Sequence, residues 1–238
     1  MRKILFPTDF SDSANNAFLY ALSLAKELEA ELYVLNTYMQ PVLSSTHAGQ
    51  PEMVPEIYQT YELHQFENFK KYSVILNNIA QQNDLSHVPI RFLFEEGTVI
   101  SNVLTVIKKE DITLVVLGTN RASGIISKIF GSNTLGVIRG VQIPVLSVPL
   151  EAKYRGIKEI LFTTLFREED EAALKQIVTI AEKFRVNVKC IHVQKDTNLD
   201  IISLAEKWTN LYPHSNLEFV FLEMDQSVEY TLNKYIEE

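Results

Sequence analysis

The 238-residue sequence has little cysteine, glycine or proline: one Cys, at position 190, eight Gly and eight Pro. A lone cysteine cannot form an intramolecular disulfide or a zinc-ligand pair, so the chain suits a reducing compartment. The low glycine and proline counts, beside 46% hydrophobic residues, exclude collagenous and low-complexity chains. The sequence therefore predicts an ordinary globular protein located in the cytoplasm.

Basic residues are also scarce, at 22 Lys and Arg against 30 Asp and Glu, which gives a formal net charge of −8. A nucleic-acid groove depends on clustered Lys and Arg, so this balance argues against DNA or RNA as a partner. No apolar run reaches the roughly 18 to 20 residues of a membrane-spanning helix. Asp9 and Asp12 interrupt the apolar N-terminal segment before a signal-peptide core could form. We expect a soluble protein with small partners.

Short apolar runs alternate with longer segments of helical period, which is typical of a parallel α/β sheet. Within residues 1–149, five strands are predicted, at 4–6, 31–36, 90–94, 112–117 and 143–148. The helices between them are predicted at 14–30, 58–82, 97–109 and 132–139, with a loop over 41–55. Gly118 is expected to end the fourth strand, and the polar residues 150–156 are expected to be a linker.

The segment after the linker repeats the start of the chain at a constant offset of 156 residues. Ile4-Leu5-Phe6 recurs as Ile160-Leu161-Phe162, and Thr8 and Phe10 recur as Thr164 and Phe166. A helix, a strand and a helix are predicted at 200–211, 217–222 and 226–237, without counterparts of strands four and five. Residues 157–238 are therefore predicted to be an incomplete second copy. Either its open edge is covered by the first copy or another chain, or the sequence is part of a longer protein.

The polar residues with the clearest chemistry follow strands one and four, whose carboxyl ends meet at the switch point of an open parallel sheet. Pro7-Thr8-Asp9 follows strand one, and Gly118-Thr119 follows strand four. Arg121 and Gly124 come next, and Gly131-Ser132-Asn133 opens a helix. Glycines allow close approach of the backbone to a ligand, and N–H groups at a helix start bind phosphate oxygens. Asp9 has a second interpretation, as a cap of the first helix beside Ser11, Asp12 or Ser13.

On these residues the first 149 positions resemble the universal stress protein family, and the second copy resembles a shortened relative. Gly118 and Gly131-Ser132 match the ends of the family's glycine loop, G-x-x-G-x9-G-[ST], whereas Arg121 stands at its second glycine. Asp9 matches as well, as do the run 143–149 and, less specifically, Asn36 and Thr37. The resemblance implies a flavodoxin-like, Rossmann-like α/β sandwich with a five-stranded parallel sheet. It also implies a homodimer, and a site for ATP, ADP or AMP with Mg²⁺.

The resemblance implies Asp9 at the ribose or base side of the nucleotide, and Gly118, Gly131, Ser132 and Asn133 around the phosphates. The other candidate residues are Pro7, Thr8, Asn36, Thr37, Thr119, Arg121 and Gly124. Two hypotheses for Arg121 stay open: its guanidinium binds the phosphates, or it closes the pocket of a dimerisation or protein-interaction module. In the second copy Leu165 stands where the first has Asp9, so we expect a structural role there.

The sequence has no nucleophile elbow and no local Ser-His-Asp frame, so we expect no true enzyme and, by the resemblance, at most weak ATP hydrolysis. The five histidines are scattered without metal-ligand spacing, and His192 is expected to be a buried structural residue. The aromatic residues spaced along the second helix, among them Phe66, Phe69 and Tyr72, predict packing rather than a base-stacking platform.

Overall fold

A computed structural model of the chain describes residues 2–42, 54–119, 132–195, 199–213 and 215–237. The chain divides into two compact units, one running to Tyr154 and the other starting at Arg155. The residues that directly follow the first sheet, up to Tyr154, therefore belong to the first unit. Among the described residues, no helix combines the length and the apolar character needed to span a membrane.

The sheet of the first unit has five parallel strands in the order β3-β2-β1-β4-β5. The strands are β1 (Arg2–Pro7), β2 (Ala30–Tyr38), β3 (Ile90–Glu96), β4 (Leu114–Thr119) and β5 (Val145–Pro149). The chain winds outward from β1 to β3 and then outward on the other side from β4 to β5. The direction of winding therefore reverses between β1 and β4, and the predicted α/β fold with a five-stranded parallel sheet is confirmed.

Four helices connect these strands: α1 (Asp12–Glu27), α2 (Val54–Gln82), α3 (Val99–Glu110) and α4 (Ser132–Gly140). Several predicted boundaries are wrong, by up to four residues. The second helix begins at Val54, four residues earlier than predicted, and the fourth strand continues through Gly118 to Thr119. The strand continues because Gly118 and Thr119 pair with Val148 and Pro149 of β5, and this tertiary pairing outweighs the tendency of glycine to end a strand.

Helices cover both faces of the first sheet, and β1 is accordingly apolar at every central position. Ile4, Leu5 and Phe6 are fully buried. On one face Leu5 packs in a cluster with Val103 and Val106 of α3. Alternate side chains of a strand point to opposite faces, so Ile4 and Phe6 face the other layer, where Phe6 contacts Phe18 of α1. This two-sided burial is what a central parallel strand requires.

The second unit has three parallel strands in the order β6-β7-β8. Its elements are β6 (Glu159–Thr163), α5 (Glu168–Phe184), β7 (Asn187–Gln194), α6 (Leu199–Leu211), β8 (Leu217–Glu223) and α7 (Val228–Glu237). This order repeats the first six elements of the first unit. In the part of the chain that the structure describes, no strand pairs with the outer edge of β6. The predicted incompleteness of the second copy is therefore confirmed.

The missing strands change the surroundings of one equivalent pair of leucines. Leu5 of β1 is 0% exposed, whereas Leu161 of β6 is 37% exposed. The difference accompanies the position of each strand: β1 is flanked by β2 and β4, while β6 pairs with β7 alone among the residues that the structure describes. An edge strand of this kind leaves the backbone N–H and C=O groups on one side without a partner strand.

Candidate functional site

The candidate site lies at the carboxyl edge of the first sheet, where β1 and β4 are neighbours. The pairing of β1 with β4 runs through Leu5 and Val115, and both strands continue from there to the same edge of the sheet. The turn that follows Pro7 therefore lies at the same edge as Gly118 and Thr119, at the end of β4. This is the position at which open α/β sheets bind ligands, because the winding reverses there and leaves a crevice.

Hydrogen bonds fix the turn that carries Asp9. The Thr8 N–H donates to the Leu35 carbonyl at 2.8 Å, and the Asn36 side-chain amide donates to the Thr8 carbonyl at 2.9 Å. The Phe10 N–H donates to Thr8 Oγ1 at 3.0 Å. Asn36 is thus used within the protein, as a brace between β2 and the turn. This geometry is an ST turn, in which a threonine hydroxyl replaces a backbone acceptor.

Asp9 itself is exposed, and its Oδ1 accepts a hydrogen bond from the Ser11 N–H at 3.0 Å. The cap of α1 is Ser11, whose side chain accepts from the Ala14 N–H at 3.4 Å. The capping role that was one interpretation of Asp9 therefore belongs to Ser11. Asp9 shapes the turn before the helix, and its carboxylate is accessible to hydroxyl or amine donors from solvent.

The residues at the end of β4 differ in what they offer a ligand. Thr119 is buried, and its hydroxyl donates to the Val148 carbonyl at 3.4 Å, so that side chain holds β4 to β5. Gly118 has no side chain between the backbone and the edge of the sheet. Across β1, Thr37 is half-buried and pairs with Glu95 of β3, and Pro7 is half-buried at the end of its strand.

Of the predicted phosphate-side residues, Ser132 and Asn133 are described, and both are exposed in the first turn of α4. The first N–H groups of a helix have no partner within the helix, and they carry its positive dipole end. Arg121, Gly124 and Gly131 lie outside the described residues. The role predicted for those three residues stays a prediction.

The second unit repeats the turn without its carboxylate. The Thr164 N–H donates to the Ile191 carbonyl at 3.0 Å, and the Phe166 N–H donates to Thr164 Oγ1 at 2.8 Å. Buried His192 stands at the position of Asn36, and its Nδ1 donates to the Thr164 carbonyl at 2.8 Å. The position of Asp9 is taken by the exposed Leu165. The scaffold of the turn is kept, while its charged group is absent.

An aspartate on the next helix completes this second turn. Asp170 Oδ2 accepts from the Leu165 N–H at 2.8 Å, the Thr164 hydroxyl at 2.9 Å and the Arg167 N–H at 3.2 Å. Burial acts to raise the pKa of Asp170, but these hydrogen bonds outweigh it and hold the pKa below its ordinary value. One oxygen of the Asp170 carboxylate therefore accepts three hydrogen bonds within the turn.

Sequence reasoning missed the aromatic contacts of the first turn. Phe10 has a φ of 60°, in the left-handed region, and its ring stacks on Tyr72 of α2. The recurrence of Phe10 as Phe166 is readable from the sequence, and Phe166 has nearly the same φ, 58°. The partner ring was not readable, since it lies 62 residues further along the chain.

Comparisons with known proteins agree with this architecture. A model of the universal stress protein family matches residues 1–149. Universal stress protein MJ0531 of Methanocaldococcus jannaschii is 26% identical over 148 residues, which cover 62% of this chain and 81% of that protein. Universal stress protein YxiE of Bacillus subtilis is 28% identical over 148 residues, covering 61% of this chain and 97% of that protein.

A solved structure extends the likeness across both units. A universal stress protein from Archaeoglobus fulgidus DSM 4304 superimposes with a TM-score of 0.67 at 16% identity, and the match covers 94% of this chain and 79% of that one. At this identity the match shows the fold. Because the family model covers well over half of the sequence, the chain belongs to the universal stress protein family.

Proposed function

We propose that the first unit binds an adenine nucleotide at the carboxyl ends of β1 and β4, and that the protein acts in stress response through this binding rather than as an enzyme. One observation carries the proposal: the exposed carboxylate of Asp9 lies at the point where the winding of the sheet reverses. The second unit has the same turn with Leu165 at the position of Asp9, and we assign it a structural role.

The described residues fit the sugar side of such a ligand. Ribose hydroxyls are donors, and a carboxylate is the acceptor that binds them most strongly. Asp9 is held ready for this by the Ser11 N–H and by the brace from Asn36 to Thr8. Gly118 lets the ligand approach the backbone at the end of β4.

The phosphates belong at the start of α4, beside Ser132 and Asn133, where free helix N–H groups favour anions. Gly131 precedes this turn in the sequence, and Arg121 comes between Gly118 of β4 and Gly124. A bound Mg²⁺ supplies positive charge that offsets the charge of the phosphates. Arg121 adds a guanidinium that suits the same oxygens.

Isothermal titration with magnesium ATP tests the proposal. We expect the nucleotide-stripped protein to bind at micromolar concentration, and Asp9→Ala to weaken binding at least about tenfold, as expected for loss of a charge-assisted hydrogen bond. Asp9→Asn keeps an acceptor for the Ser11 N–H but removes the negative charge. It therefore tests the effect of the charge while the geometry of the turn is kept. The control is Glu67→Ala, which removes an exposed carboxylate of α2. Absent binding at millimolar ATP, or equal affinity in Asp9→Ala and Glu67→Ala, contradicts the proposal.

A second candidate function is a protein-interaction or dimerisation module whose nucleotide pocket is closed by Arg121. It is favoured by the exposed apolar residues Leu63 and Phe66 on α2, which lie beside Phe94 in a shallow cavity of about 400 Å³. Arg121→Gly separates the two functions. A gain of ATP binding in that variant supports the closed pocket, and a loss of existing binding supports Arg121 as a phosphate ligand.

A further inference from the structure

We infer that Tyr72 of α2 is a positioning residue for the turn that carries Asp9, acting through a stack on Phe10. The inference rests on the proposed function for its consequence, which is that α2 sets the affinity of the nucleotide site. The contact itself is independent of any ligand. Nothing in the sequence near Asp9 indicates that Tyr72, which lies 62 residues after Phe10, takes part.

The ring contact is close and well aligned. The centroids of Phe10 and Tyr72 are 4.8 Å apart, and the two planes differ by 8°. Phe69, one turn earlier on α2, contacts Phe10 at 6.3 Å. Stacked aromatic pairs at these distances stabilise a structure beyond the area they bury. The ring of Phe10 is therefore held by two successive turns of the same helix.

Phe10 needs an external contact of this kind. Its φ of 60° lies in the left-handed region, which costs free energy for any residue with a side chain. The Phe10 N–H bond to Thr8 Oγ1 stabilises the turn from within, and the ring stack stabilises it from outside. Loss of the stack leaves the strained backbone with fewer contacts to maintain it.

The backbone of Phe10 determines where the Asp9 carboxylate lies. Asp9 precedes Phe10, and Ser11 follows it. The Asp9 Oδ1 accepts a hydrogen bond from the Ser11 N–H, so this bond spans Phe10. A change in φ at Phe10 therefore moves both the carboxylate and the donor that orients it. Tyr72 acts on the ligand site through Phe10 and does not need to touch the ligand.

The stack is anchored to the sheet as well as to the helix. Phe69 is buried and contacts Phe94 of β3 at 5.1 Å, and Phe94 stacks on Tyr38 of β2 at 4.7 Å. These rings connect the turn after β1 to the carboxyl ends of β2 and β3. Tyr72 is the outermost ring and is 36% exposed, so its replacement opens no cavity in the core.

The second unit provides an internal comparison. Phe166 has the same backbone conformation and the same hydrogen bond to a threonine hydroxyl. Its ring packs instead against the buried Trp208 at 4.8 Å, and close to His192 at 5.5 Å. The ring of Phe166 is thus enclosed in the core of the second unit, whereas the closest ring on Phe10 is the partly exposed Tyr72.

Amide hydrogen exchange measured by NMR tests the inference in the full chain. We expect Tyr72→Ala to speed exchange of the Phe10 and Ser11 amides about 3- to 10-fold, the effect of losing one stacked ring pair. The Phe166 amide reports on the second unit and should not change. Tyr72→Phe keeps the ring and should behave as the unaltered protein. Val74→Ala, a change at an exposed residue of the same helix, is the matched control.

Magnesium ATP titration of the same variants gives the functional readout. Tyr72→Ala should weaken binding by a factor similar to its effect on exchange, and Tyr72→Phe should not. Unaltered Phe10 exchange in Tyr72→Ala, or altered exchange with unaltered affinity, overturns the inference. If the unaltered protein binds no nucleotide, the proposed function fails, and the exchange data alone then decide whether Tyr72 positions the turn.

Discussion

The two equivalent leucines, Leu5 and Leu161, allow one substitution to be compared in two surroundings. Leu5 is fully buried beneath α3, so Leu5→Ala removes apolar contacts and leaves a cavity, at a cost of about 3–5 kcal/mol of unfolding free energy. Leu161 is 37% exposed on an edge strand. Solvent fills the space left by Leu161→Ala, so only the transfer of its covered part is lost, about 1 kcal/mol.

The assay is equilibrium urea unfolding followed by two signals. Far-ultraviolet circular dichroism reports on both units, and the fluorescence of Trp208, the single tryptophan of the chain, reports on the core of the second unit. We expect Leu5→Ala to lose at least about 2 kcal/mol more than Leu161→Ala. Equal losses within about 0.5 kcal/mol would refute the conclusion that β6 lacks the cover that β1 has.

Two further predictions concern the turn of the second unit. His192→Ala leaves the Thr164 carbonyl without its donor and should cost about 1–3 kcal/mol in Trp208-detected unfolding, whereas His192→Asn should recover much of this because Asn36 makes the same bond in the first unit. An equal loss of unfolding free energy in His192→Ala and His192→Asn contradicts the conclusion that His192 and Asn36 have the same role. The folded pKa of Asp170 is depressed, so its contribution to stability is complete above the unfolded pKa and is lost as pH falls through the folded pKa. Urea midpoints between about pH 5 and pH 2 should fall more steeply in the unaltered protein than in Asp170→Asn, and parallel profiles would exclude this contribution.

The architecture of this protein is largely readable from its sequence, because the spacing of apolar residues and the residues shared by the two copies predict the same elements. The central strand Ile4-Leu5-Phe6 is apolar at each position, and its recurrence at a fixed offset predicts the second unit. The place of Asp9, in the loop between strand one and the first helix, follows from the order of strands in an open sheet. These features depend on residues that are close in sequence or on a topology with few alternatives.

Features that depend on distant partners were not readable in the same way. The end of β4 was predicted at Gly118, yet pairing with β5 extends the strand to Thr119. The stack of Phe10 on Tyr72 joins a strained turn to a helix far along the chain. The partner of His192 is a backbone carbonyl, which no side-chain pattern can indicate. Each of these features depends on a tertiary contact with a residue that is distant in the sequence.

The most direct test of the account is a map of where an adenine nucleotide binds. Amide chemical shifts of the full chain should be recorded with and without magnesium ATP. The account predicts changes at Thr8–Ser11, at Gly118 and in the first turn of α4, with none at the equivalent turn, Thr164–Arg167. Saturable changes confined to the second unit, or no changes at millimolar ATP, would contradict it.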